Sequence, residues 1–299
     1  MCGDWRERIH TVPGCGRPFL LMLALRLSMH GAKWLHWSEP SNARSRYRVV
    51  TQPIRRLYAV LNNRFGCGAL AIGDLASRDF VRWGINADRI RFLPYSIAPV
   101  RASSAIKERK AGEGGVRFLF LGEICENKAV DVLVAAFHRV HSTYPDASLS
   151  LIGRDSSNGI YRRLVERLAL AGCVQFRVSV PATNVGDVIA EHDVLVLPSR
   201  HDGWGMVLAE GASMARALIA TESCGAAFHV IDDGVAGYRV RSEDPIGLAD
   251  AMTKYCRAPE TISLHGARCR ELFAALAPER NAVRLRDALA ALCGALAAK

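Results

Sequence analysis

Short apolar runs alternate with amphipathic stretches over the last two-thirds of the chain. Residues 116–121 (VRFLFL) form a nearly continuous apolar run that stops at Gly122, and residues 130–140 then place apolar side chains at helical spacing. Residues 148–152 (SLSLI) end at Gly153, followed by a helical stretch over 161–171. Residues 174–178, 194–197 and 217–220 are further short runs, each followed by a loop and a helix-like segment. Strands buried on both faces read as unbroken apolar runs, and their alternation with helices predicts a doubly wound parallel sheet. Ligands of such sheets lie beyond the carboxyl ends of the strands. Chemistry is therefore expected in the loops after Leu121, Ile152, Leu197 and Ala220.

The first third is less regular. Residues 69–72 and 90–93 read as strands and residues 77–83 as a helix. The apolar run 19–25, broken by Arg26, is too short to cross a bilayer and predicts a buried or membrane-surface helix. Arg6, Arg8 and Arg17 precede it, but no A-x-A cleavage pattern follows. Residues 102–115 (ASSAIKERKAGEGG) are polar, charged and Gly-ended, as an interdomain linker is. The pattern thus divides the chain into a first domain with its linker (1–113), a regular α/β domain (114–278) and a C-terminal helix (279–299) that packs back towards the first domain.

Charge follows the same division. Residues 1–113 hold 19 Lys+Arg against 8 Asp+Glu, whereas residues 114–299 hold 20 against 21. The net excess of +10 therefore resides in the first third. That asymmetry fits an anionic partner such as a membrane surface, a lipid phosphate or nucleic acid, or equally an Arg-rich composition without a partner. Nine cysteines without a CxxC pair argue against a disulfide framework or a zinc site and fit a reducing cytoplasm. There is no G-x-x-x-x-G-K-[ST] and no G-x-S-x-G, which disfavours a P-loop ATPase and a serine hydrolase. Nothing matches a helix-turn-helix or an RNP pattern, so no nucleic-acid partner is expected.

The strongest chemical signal is L-P-S-R-H-D-G-W-G-M-V-L-A-E over residues 197–210. A buried strand ends at Leu197, a loop supplies Asp202, glycines bracket Trp204, and a helix starting near Met206 contains Glu210. Gly203 and Gly205 let backbone N–H groups approach a ligand, and a helix N-terminus favours negative charge. Spacing alone leaves open a tight strand-to-helix turn with solvated acids. A second signal is F-L-G-E-I-C-E-N-K-A-V-D over 120–131, where Lys128 precedes a helix. A cation there suits a phosphate. Gly153, with Arg154 and Asp155, ends the next strand.

The first of these segments resembles the E-x7-E element of retaining family-4 glycosyltransferases (glycosyl transferases group 1), with Asp202 in the first acidic position and Glu210 in the second. The second resembles the family's G-R-x4-K-G-x-D-x-L element. Lys128 matches, while Glu123 stands where Arg is common and Ala129 replaces a Gly. The resemblance implies an α/β GT-B fold of two Rossmann-like domains, with the N-terminal one incomplete and the C-terminal one a doubly wound parallel sheet. It also implies that Asp202, Gly203, Trp204, Gly205 and Met206 face the hexose and diphosphate, Glu210 the ribose, and Lys128 the diphosphate, with Gly122 and Gly153 at the strand ends beside them. Asp202 and Lys128 are the expected catalytic pair, acting electrostatically without a metal or other cofactor.

The function implied is transfer of a sugar, with retention, from a nucleotide-diphosphate sugar to a hydroxyl of a glycan or lipid-linked glycan. The location implied is the cytoplasm, with peripheral attachment at the inner face of the membrane through the basic first third. The first domain is shorter than a complete Rossmann-like domain, so a truncated reading frame or a catalytically degenerate nucleotide-sugar-binding protein is an alternative. A nucleotide-sugar epimerase on the same fold is another.

Overall fold

Two parallel sheets organise the chain, and each belongs to its own unit: Met1–Ser96 with Pro278–Lys299, and Ile97–Ala277. The computed structural model describes residues 5–14, 16–42, 48–103 and 113–294.

In the first unit β1 (Ile9–Val12), α1 (Pro18–Met29), β2 (Lys33–Ser38), α2 (Arg48–Phe65), β3 (Gly68–Ala71), α3 (Asp74–Trp83) and β4 (Ile90–Phe92) alternate. The strands pair in sequential order β1-β2-β3-β4, all parallel. Alternation along β2 sends neighbouring side chains to opposite faces. Trp34 packs with Ala24 and Leu27 of α1, Tyr58 of α2 and Phe80 of α3, while Leu35 joins Leu70 and Leu93 under the C-terminal helix Pro278–Cys293. That helix is further tied by Lys33 Nζ donating to the Cys293 carbonyl (2.9 Å) and Asn281 Nδ2 to the Pro94 carbonyl (2.9 Å). α3 starts with Asp74 near its positive end and stops at Gly84, whose left-handed backbone (φ 104°) lets its N–H reach the Phe80 and Val81 carbonyls.

His36, on β2, is fully buried. Its Nδ1 pairs with the Tyr58 hydroxyl (3.0 Å) and its Nε2 with Ser38 Oγ (2.9 Å), and the rings of Phe80 and Trp83 meet it edge-on. Burial holds its pKa down at about 3, so the imidazole is neutral. In the same unit, Tyr95 is pushed up to about 12 by burial and by its hydrogen-bonded neighbour Glu39.

The second unit contains β5 (Arg117–Leu121), α4 (Val130–Thr143), β6 (Ser148–Ile152), α5 (Ile160–Arg167), β7 (Val174–Arg177), α6 (Val185–Ala190) and β8 (Val194–Leu197). It continues through α7 (Met206–Ser213), β9 (Ala217–Thr221), α8 (Ala227–Val230), β10 (Tyr238–Val240), α9 (Pro245–Arg257) and α10 (Glu260–Phe273). The sheet order is β10-β9-β8-β5-β6-β7 and every pairing is parallel. Phe118, Phe120 and Phe137 are fully buried, each contributing about 1.5–3 kcal/mol relative to an exposed ring. α9 begins with Asp244 accepting from the Gly247 N–H (2.8 Å) and Pro245 in its first turn.

The units divide between Ser96 and Ile97, not within the expected linker 102–115, of which residues 104–112 lie outside the described residues. The segment just before those residues is bound to the second unit. The Val100 N–H donates to Ser213 Oγ (3.1 Å) and the Ser103 N–H to Asp187 Oδ1 (2.6 Å). A side chain on Gly186 would collide with the Arg101 carbonyl (2.0 Å). Among the described residues no helix is long and apolar enough to cross a membrane.

Candidate active site

β5 and β8 are neighbours, but the chain leaves β5 towards β6 and leaves β8 towards β9 on the other side. This is the topological switch point of the sheet, where diverging loops open a crevice at the carboxyl ends of the strands. The loop after β5 carries Lys128 and the loop after β8 carries Asp202. Lys128 Nζ donates to Asp202 Oδ2 at 2.5 Å, with both side chains largely covered.

Around this pair the two loops are joined by further bonds. The Arg200 N–H donates to the Asn127 carbonyl (2.9 Å), and Asn127 Nδ2 donates to the His201 carbonyl (2.8 Å). The Arg200 guanidinium grips both Asp131 oxygens (2.9 and 2.6 Å) and also donates to Glu243 and to the Glu126 carbonyl. Its side chain is only 12% exposed, and the two carboxylates push its pKa further up. A bidentate arginine–carboxylate pair is rigid, so Arg200 fixes the Lys128 loop against the Asp202 loop. Arg200 has no signature in the sequence around it. Its partners Asp131 and Glu243 lie 69 and 43 positions away, so no local pattern marks it.

The loop after β9 braces the Asp202 loop from the other side. The Asp202 N–H donates to the Ser223 carbonyl (3.0 Å), the Gly225 N–H to the Asp202 carbonyl (3.1 Å) and the Ala226 N–H to the Trp204 carbonyl (2.7 Å). Gly225 must lack a side chain, because a Cβ there would stand 2.3 Å from the Gly203 carbonyl oxygen. Gly205 turns the chain into α7 through a left-handed conformation (φ 85°), so Met206 opens that helix with its N–H groups at the carboxyl end of β8.

Trp204 departs from the expectation that it faces a sugar. Its side chain is 1% exposed and stacks on His229 of α8 at 5.4 Å, so what it can offer a ligand is its backbone. Gly203 and Gly205 are likewise buried, while Met206 is exposed and Glu210 half-buried on α7. Burial raises the Glu210 pKa above the ordinary carboxylate value. Gly153 abuts Gly122: a Cβ on Gly153 would lie 1.8 Å from the Gly122 carbonyl oxygen. Its bareness therefore serves contact between the β5 and β6 loops. His201, beside Asp202 in the same loop, is half-buried.

Glu123, in the position where a cation was expected, turns to the loop after β6. It accepts from Arg154 Nη2 (2.8 Å) and Ser156 Oγ (2.5 Å), and those two bonds lower its pKa. Ala129, in the position of a glycine, still adopts the left-handed conformation (φ 52°) at the start of α4. The structure thus joins Lys128 directly to Asp202, places the glycines and Met206 in the adjoining turn, and sets Glu210 further along α7. Among the described residues, no three His, Cys, Asp or Glu side chains are grouped to hold a metal ion.

Residues 115–257 match the family described as glycosyl transferases group 1. Among curated proteins, the D-inositol 3-phosphate glycosyltransferase of Streptomyces griseus subsp. griseus is 28% identical over 210 residues, covering 65% of this chain and 44% of that enzyme. The matched region thus spans under half the length of the curated relatives it resembles. Among solved structures, Anabaena Alr3699/HepE in complex with UDP and glucose superposes with a TM-score of 0.74 at 14% identity, covering 91% of this chain and 75% of that one. The sucrose-phosphate synthase of Thermosynechococcus elongatus gives a TM-score of 0.74 at 20% identity, covering 93% and 72%. A parallel sheet with its acid–lysine pair at the switch point and neighbours of this fold agree with the match: residues 115–257 are similar to glycosyl transferases group 1 domains, and the chain has the GT-B fold.

Proposed function

We propose that the second unit binds a nucleoside diphosphate sugar at the ends of β5 and β8, and that the protein transfers the sugar to a hydroxyl with retention of anomeric configuration. The observation that carries this reading is the Lys128–Asp202 contact at the switch point, beside the Gly203–Gly205 turn that opens α7. A diphosphate entering there competes with Asp202 for the Lys128 ammonium and meets the N–H groups at the start of α7. Asp202, released from Lys128, is then available to accept from hydroxyls of the sugar. Glu210 takes the ribose hydroxyls. In the reaction the anomeric carbon–oxygen bond to the diphosphate breaks, a bond to the acceptor oxygen forms, and the acceptor proton leaves with the nucleoside diphosphate. Lys128 and the loop amides offset the charge that builds on the leaving group, with no metal or other cofactor in the scheme. Support for a nucleotide-sugar donor comes from HepE, seen with UDP and with UDP-glucose. The acceptor class proposed is a glycan or lipid-linked glycan met at the inner face of a membrane.

The test is titration calorimetry with uridine, UDP and UDP-sugars, followed by product analysis with and without glycan acceptors. Glu210→Ala is expected to weaken nucleotide-sugar binding by about 1.5–3 kcal/mol. Unchanged affinity removes the ribose assignment. A second reading, donor binding without transfer, is favoured by Glu123, which brings a carboxylate and binds Arg154 where a second phosphate clamp would serve. Donor binding with no product in any acceptor mixture selects it, and a new sugar nucleotide formed from donor alone selects epimerisation.

A further inference from the structure

The first unit carries a surface that the donor chemistry does not use. Along α1, Phe19 (69% exposed), Met22 (66%), Leu25 and Met29 (84%) recur at intervals of three and four, which puts them on one outward face. α2 packs beside α1 and exposes Ile54, Leu57 (63%) and Val60 (61%) at intervals of three, with Phe65 exposed at its end. The inward faces of both helices are already satisfied by Ala24, Leu27, Tyr58 and Ala59 in the core. Neither helix contains an Asp or Glu, whereas α1 carries Arg26 and α2 carries four arginines, among them the exposed Arg56 and Arg64. Surfaces that face only water interleave both signs of charge and keep large apolar side chains scattered. Two adjoining helices with outward apolar rows and exclusively positive charge have the composition of helices that lie in a lipid interface.

We propose that the α1–α2 face is a docking surface for an anionic membrane. Phe19, Met22, Leu57 and Val60 enter the boundary between headgroups and acyl chains, and Arg26, Arg56 and Arg64 pair with lipid phosphates. This deepens the reading that the acceptor is met at a membrane, and its test does not depend on sugar transfer.

The experiment is flotation of the full chain with phosphatidylcholine vesicles, with and without phosphatidylglycerol. Binding is expected to be at least about tenfold stronger to the anionic vesicles and to fall as salt is raised. Phe19→Ser with Met22→Ser, and separately Arg56→Glu with Arg64→Glu, should each lower it by about tenfold or more. These side chains are exposed, so thermal unfolding and UDP-sugar affinity should match the parent chain, and that match separates a docking defect from a failed fold or donor site. Equal partition to neutral and anionic vesicles, or variants that bind as the parent does, would overturn the proposal. So would sedimentation showing a dimer that Phe19→Ser with Met22→Ser dissociates, since a second copy would then cover the face.

Discussion

The two units use polar side chains in opposite ways. In the first, the polar group at the centre of the core, His36, is neutral, enclosed by aromatic rings and fully buried. In the second, charged groups gather at the strand ends, where Lys128, Asp202, Arg200 and Asp131 pair across loops that glycines bring into backbone contact. One sheet spends its polarity on packing and the other on a site. The difference points to one test in each: added atoms at the loop glycines of the site unit, and added protons at His36 in the other.

The largest expected effect is steric. Gly153→Ala would drive a methyl group into the Gly122 carbonyl and should destabilise the second unit by about 3 kcal/mol or more, read as a lowered Tm by calorimetry. A Tm within error of the parent would show that the loops do not depend on that approach. The next effect concerns protons. His36 in the folded chain stays neutral down to pH about 3, whereas an exposed histidine protonates near 6.5. Between these values the unfolded chain binds more protons, so stability falls with falling pH by about 1.4 kcal/mol per unit, or roughly 2 kcal/mol at pH 5. Urea unfolding followed by tryptophan fluorescence reads chiefly the first unit, which holds Trp5, Trp34, Trp37 and Trp83, and His36→Gln should remove most of this slope.

Arg200→Met returns the comparison to the site. It should leave the fold intact and weaken nucleotide-sugar binding about tenfold, because the Lys128 loop loses its tie to the Asp202 loop. Affinity unchanged by calorimetry would show that other bonds suffice to hold the loops. The smallest effect is at Ala129, whose left-handed backbone is strained for any residue with a Cβ. Ala129→Gly should raise stability by about 1 kcal/mol, and a loss instead would mean that the buried methyl group outweighs the strain.

How far this could be read beforehand differs between the units for physical reasons. Strands β5, β6, β8 and β9 bury most of their side chains and announce themselves as apolar runs, whereas β7, at the edge of the sheet, is only partly covered and shows as the short run 174–178. β10 (Tyr238–Val240) is three residues long with a central arginine, so no apolar run marks it. β2 was obscured because His36 breaks an apolar pattern while being as buried as its neighbours, and α2 because it carries four arginines and Pro53. In the site, Lys128 and Asp202 were legible as parts of motifs. The burial of Trp204 was not, because a Trp between glycines reads as a ligand platform until the ring of His229 is found beneath it. Arg200 was invisible because its role exists only when three distant segments meet.

The helix at the end of the chain closes the core of the unit at its beginning, with Ala288 and Cys293 against Leu35, Leu70 and Leu93. As the polypeptide leaves the ribosome, one face of the first sheet must therefore wait uncovered while the entire second unit is synthesised. Chains interrupted late in translation would retain every residue of the proposed donor site and yet present that apolar face to chaperones and proteases.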